Sequence, residues 1–152
     1  MGGGDKSCVS GIKKQTMSTR HQLSVNASLV GAFLAGMTIS LILGLPHSRT
    51  LVLLAILLAA LATIYLGAAL SAGRTPQVLM EGLAACGFIA LAMLGVWRSP
   101  FFLVIGYLAH GLWDLAHHRG GLKSRIAVWW PPFCLVYDWV LAGAICLRWF
   151  TH

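Results

Sequence analysis

The sequence predicts an all-α integral membrane protein, with five transmembrane helices in a compact antiparallel bundle. Three observations carry this. Of 152 residues, 58% are hydrophobic and 10% charged, whereas a soluble domain spends about 25% of its residues on charge. Five apolar stretches reach or approach the roughly 20 residues that a helix needs to cross a hydrocarbon core of about 30 Å. The Lys and Arg residues gather at alternate connections between these stretches, the pattern that sets orientation in a bilayer.

The elements follow in order. Residues 1–24, "MGGGDKSCVSGIKKQTMSTRHQLS", read as a disordered basic N-terminal tail. Lys6 stands where a myristoylation signal needs Ser or Thr, and Met17 offers a second start. The transmembrane domain is expected over 25–152. Its first span, 27–45, is closed by Pro46, and its second, 50–72, is ended by Gly73. The third, 76–97, opens on Thr75 and Pro76, a cap and a first helical residue. The fourth, 100–118, opens on Ser99 and Pro100, and the fifth covers 131–150. Short connections make sequential neighbours antiparallel.

With the N-terminus cytoplasmic, Lys6, Lys13, Lys14, Arg20, Arg74, Arg119, Lys123 and Arg125 lie inside, and only Arg49, Arg98 and Arg148 lie outside. This predicts a cytoplasmic N-terminus and an outer C-terminus. Trp97, Trp129, Trp130 and Trp149 fall at span ends, where aromatic belts form. The alternative has four spans, with 100–118 lying in the interface and the C-terminus on the other side. The net charge of +7 does not point to nucleic acid, because no basic face is interleaved with aromatics. No phosphate-binding loop, GxSxG elbow or HExxH is present. Cys86, Cys134 and Cys146 sit in apolar runs and Cys8 in the tail, without metal-site or disulfide spacing.

The exception to this apolar character is "HGLWDLAHH", residues 110–118. Each residue of a helix turns by about 100°, so His110, Asp114 and His117 share one narrow face, with Leu108, Leu112 and Leu115 opposite. Depth carries the argument further. At 1.5 Å per residue, Glu81 lies about 8 Å into the third span and Asp138 about 10 Å into the fifth, both from the cytoplasmic side. The three histidine-face residues lie in the same half of the fourth span. Apart from Asp5, the three carboxylates Glu81, Asp114 and Asp138 are all the acids in the chain.

Charged groups at such depth face the bundle interior and are paired. Three readings of the cluster compete. A polar lock would fix helix register, with Arg74 or Arg119 reaching in. A divalent-metal site (iron, zinc or manganese) would use Glu81, His110, Asp114, His117 and Asp138 as ligands. It would act on a lipid or lipophilic small molecule entering from the bilayer, with Asp114, His118 and Tyr137 as the catalytic candidates. A proton or ion path through the same cluster is the third. The spacing HxxxDxxHH is similar to the histidine boxes of membrane hydroxylases and desaturases, but it is single, and the six histidines are too few for a di-iron centre of that class.

The runs "GYLAHGLWDLAHH" and "WWPPFCLVYDW", with "MEG" near the start of the third span, resemble an uncharacterised family of small bacterial multi-pass membrane proteins, a domain of unknown function. The resemblance covers about residues 27–150. It implies a location in the bacterial inner membrane and no assigned activity. The lipid bilayer is then the first partner, and homo-oligomers stay open.

Overall fold

The computed structural model describes residues 5–118 and 126–150. The described chain is all-helical, in five helices: α1 (Asp5–Leu43), α2 (His47–Ala72), α3 (Thr75–Trp97), α4 (Phe101–His118) and α5 (Trp130–Phe150). The last four begin and end within a few residues of the predicted spans. The first does not. It runs back to Asp5 through the segment expected to be a disordered tail. Between Ile12 and Val30 the chain has neither proline nor glycine, and Lys13, Lys14, Gln15, Met17, Arg20, Gln22 and Leu23 all favour helix. Met17 and the residues from Ser18 to Leu23 are nonetheless exposed, so this stretch gains nothing from packing. At 39 residues, α1 is about 58 Å long, twice the hydrocarbon thickness.

Among the described residues, four helical segments are long and apolar enough to cross a membrane: Met17–Leu43, His47–Ala72, Thr75–Trp97 and Trp130–Phe150. The 18 residues of α4 are diluted by its histidines and aspartate. His110, Asp114 and His117 are turned inward, and its outward residues Phe101, Ile105, Leu108 and Leu112 are apolar.

Helix neighbours follow a simple order. α5 packs between α1 and α4, α3 packs between α4 and α2, and α2 also touches α4. One apolar core draws on all five helices, with Ile42, Leu54, Ala92, Tyr107 and Leu141 among its members. Gly31 lets α1 and α5 meet at backbone distance, since a Cβ there would collide with the carbonyl oxygen of Phe133. This close approach is the kind that small residues permit in lipid. Gly73 ends α2 in the left-handed conformation (φ 65°), with its N–H on the Leu70 carbonyl, as a helix C-cap favours.

At the opposite end of the bundle, Arg148 of α5 donates to the carbonyls of Ile42 (2.6 Å) and Leu45 (3.2 Å). A cation there satisfies orphan carbonyls at the end of α1 and complements its dipole. Beside it, the Trp149 indole donates to the exposed His47. Arg148→Gln is expected to lower stability by about 1–3 kcal/mol, the worth of hydrogen bonds made by a charged donor. Thermal unfolding in detergent, monitored by circular dichroism, checks it, with Arg148→Lys intermediate because an ammonium lacks the planar fork.

Candidate functional site

The polar residues singled out in α3, α4 and α5 are buried: Glu81, His110, Asp114 and Asp138 are at most 1% exposed and His117 is 7% exposed. They do not form one shell. The structure divides them into two groups with different bookkeeping of donors and acceptors.

The first group is closed. His117 Nε2 lies 2.9 Å from Glu81 Oε1, and its Nδ1 lies 2.9 Å from the carbonyl of Trp113. The Trp113 indole N–H donates to the other oxygen, Glu81 Oε2, at 3.2 Å. Both nitrogens of the imidazole and both oxygens of the carboxylate are therefore engaged. This geometry ties α3 to α4.

The second group is open. His110 Nδ1 lies 2.7 Å from Asp138 Oδ2 and 3.3 Å from Asp114 Oδ2. A single N–H cannot serve both, and the hydrogen bond is made with Asp138. Asp114 receives its one hydrogen bond on Oδ1, from the Tyr65 hydroxyl at 2.5 Å. Three buried atoms are left without a hydrogen-bond partner: His110 Nε2, Asp114 Oδ2 and Asp138 Oδ1. Buried polar atoms are normally satisfied, the more so in lipid, where each unsatisfied group is expensive. No Lys or Arg among the described residues pairs with these carboxylates, since every ion pair there is to a histidine. Arg74, one of the two arginines expected to reach in, is exposed, and Arg119 lies outside the described residues.

One imidazole and two carboxylates thus meet in the core with more negative than positive charge. His110, Asp114 and Asp138 can each offer one ligand atom, all within 4.8 Å of one another. The donors also suit a metal in kind. In a tetrahedral zinc shell with bonds of 2.0–2.1 Å, ligand atoms stand about 3.3 Å apart. His110 Nδ1 stands at that spacing, 3.3 Å, from Asp114 Oδ2, while its 2.7 Å approach to Asp138 Oδ2 is a hydrogen bond that a metal on Nδ1 would replace. A doubly charged ion would neutralise both carboxylates.

Tyr65 of α2 was missed by the sequence reading, yet it links the two groups. It is 1% exposed. Its hydroxyl holds Asp114, while its ring lies 4.2 Å from that of His117 and 6.3 Å from that of His110, centroid to centroid. Depth could have found it. Seven residues from the Gly73 end of α2, it lies about 10 Å in, level with Asp138. Phe88 of α3 closes the other side of His110, with ring centroids 5.0 Å apart.

Of the remaining candidates, His118 is exposed at the end of α4. The Tyr137 hydroxyl is hydrogen-bonded to Thr38 of α1 at 3.1 Å, on a different face of α5 from Asp138. Cys134 is fully buried one turn before Asp138. Of the residues expected to act on a substrate, only Asp114 lies within the open group.

No curated protein and no solved structure matches the chain. A family model matches residues 24–149, from just before the first predicted span almost to the end of α5. It takes in both polar groups, and it shows that the chain belongs to a family of unknown function, DUF6010.

Proposed function

We propose that this is a five-span protein of the bacterial inner membrane whose His110–Asp114–Asp138 centre binds a divalent metal of the zinc, iron or manganese class. The N-terminus is cytoplasmic and the C-terminus outside. α4 completes the five spans: His110, Asp114 and His117 are buried and its exposed residues before the terminal His118 are apolar, as a helix in lipid requires. The observation that carries the metal reading is that His110, Asp114 and Asp138, all buried, each offer a ligand atom within 4.8 Å of the others, with one oxygen of each carboxylate left without a partner.

Three protein ligands leave coordination positions free. A metal bound there supplies Lewis acidity and an activated water, toward a lipophilic substrate reaching the centre from the bilayer. The polar-lock reading is retained for Glu81 and His117 alone, where every donor and acceptor is matched.

Elemental analysis of protein purified in mild detergent without a metal-affinity tag tests this. One equivalent of metal is expected in the wild type and in His117→Ala, and none in His110→Ala or Asp138→Asn. Wild-type protein that neither carries nor takes up zinc, iron or manganese would remove the metal reading. The bonded run Tyr65–Asp114 and His110–Asp138 would then favour proton transfer, measured as flux in proteoliposomes and abolished by Asp138→Asn.

A further inference from the structure

An ion that binds at His110, Asp114 and Asp138 needs a way in. All three residues are 0% exposed, and a metal site is complete only with an entry path. The directions out of the centre are unequal. Toward the Phe101 end of α4 the core holds Leu54, Leu103 and Leu141, all fully buried. The Tyr107 hydroxyl on that side is given to the Leu54 carbonyl, so the described residues there offer a cation little to bind. Toward lipid, Ile105, Leu108 and Leu112 of α4 are apolar.

Toward the His118 end the donors continue. Asp114, His117 and His118 follow His110 by about 6, 10 and 12 Å of helical rise. His118 is exposed. His117 is 7% exposed as a residue, yet its side chain and that of Glu81 are 0% exposed, so only its main chain reaches the surface. The Glu81–His117 pair is therefore the last closed layer of a column of carboxylates and imidazoles. Tyr65 joins this layer to the centre: its ring lies 4.2 Å from that of His117, and its hydroxyl donates to Asp114. Such runs of Asp, Glu and His within a membrane bundle mark the course of ions.

We infer that the Glu81–His117 pair is the gate through which the ion reaches and leaves the centre, an inference that rests on the metal reading above. Closed, the pair offers an ion nothing, because Trp113 holds Glu81 Oε2 through its indole and His117 Nδ1 through its carbonyl, while Oε1 and Nε2 hold each other. Opened, it presents a carboxylate and an imidazole, the same donor types as the centre, and the ion passes from ligand to ligand. The bonds that tie α3 to α4 are thus also the bonds that shut the centre. Nδ1 faces a carbonyl and must donate to it, which leaves one shared proton between Nε2 and Oε1. The pair then has no net charge, and its removal leaves the field at the centre little changed. A gate alters uptake and release by the same factor, so affinity, their ratio, stays as it was.

Zinc kinetics of the full chain in mild detergent test the inference, with a fluorescent zinc indicator reading uptake and excess chelator driving release in a stopped-flow mixer. Trp113→Phe keeps an aromatic ring and both donors of the pair, and removes the N–H that pins Glu81. It should speed uptake and release alike by about tenfold, the effect of losing one hydrogen bond to a charged group, at unchanged affinity. Glu81→Leu/His117→Leu turns the gate into an apolar plug. It should slow both rates by about tenfold, since the ion then crosses a layer without a ligand, again at unchanged affinity. Wild-type rates in both variants would overturn the inference, and so would a faster double-leucine variant, since the ion would then enter elsewhere. A change in release alone, with affinity lowered, would also overturn it and make the pair part of what holds the ion. Wild-type protein that takes up no zinc would remove the metal reading and the gate together, whereas zinc exchanged at one rate in all three proteins removes the gate alone.

Discussion

Replacing His117 by alanine is expected to destabilise the protein by about 3–5 kcal/mol, the cost of leaving one partner of a buried pair without the other. Glu81 is the group left behind. It is 1% exposed, its Oε1 would lose the 2.9 Å contact with His117 Nε2, and only the Trp113 N–H would remain to it. Glu81→Ala should cost a similar amount, because His117 would then hold a ring nitrogen without a partner. Replacing both by leucine is a different experiment. The pair vanishes together with its desolvation penalty, and such double replacements are often neutral. The double variant should therefore be more stable than either single one. A double-mutant cycle in detergent, followed by chemical unfolding, measures the coupling. A coupling near zero would remove the lock. Metal content supplies the control that a structural role leaves untouched: on the proposed function His117→Ala is expected to retain an ion and His110→Ala to lose it.

That division of labour is what the sequence could not give. Helical period and depth were enough to bury Glu81, His110, Asp114, His117 and Asp138 together, because an acid or imidazole inside an apolar span turns toward the bundle interior. Which of them meet depends on helix neighbours and rotations. His110 and His117 sit on one face of α4, yet that face spans two seams. His110 looks to α5 and Asp138, and His117, two turns on, looks to α3 and Glu81. No spacing rule within one helix reveals that.

The misses have physical causes too. Tyr65 escaped notice because a tyrosine in an apolar run passes for packing, and its role appears only when α2 is set beside α4. Tyr137, adjacent in sequence to Asp138, was expected near the centre, but one residue along a helix is a turn of about 100°, and its hydroxyl meets Thr38 instead. The extension of α1 back to Asp5 was read as a tail because it is polar. Polarity speaks against burial, whereas the run from Ile12 to Val30 without proline or glycine speaks for helix, and the helix continues past Gly11 to Asp5. The number of helices and their limits were easier to read, since Pro46, Gly73, Pro76 and Pro100 punctuate the chain where apolar runs stop.

Tyr65→Phe should weaken metal binding by about 10–100-fold with little loss of stability. The hydroxyl is its only polar atom, and it has one partner, Asp114 Oδ1 at 2.5 Å. Groups that hold a ligand from outside the coordination shell typically affect affinity on that scale. The reason is geometric. Asp114 is anchored to α4, and its second oxygen, Oδ2, is the one 3.3 Å from His110 Nδ1. While the phenol fixes Oδ1, Oδ2 is aimed at the space between His110 and Asp138. Without it the carboxylate turns freely about its own bond, and the ion must also bear the cost of ordering it. The ring stays in place, so the contacts with His117 and His110 persist. Competition with a chromophoric zinc chelator in detergent reads the affinity, and thermal unfolding reads the fold. A loss of affinity with the melting temperature held would make Tyr65 a positioning residue of the centre. Unchanged affinity would mean that Asp114 is held by its helix alone. A fall in stability matched by no change in zinc binding would assign the phenol to packing between α2 and α4, beside the Tyr107 hydroxyl that already bridges those helices to the Leu54 carbonyl at 2.8 Å.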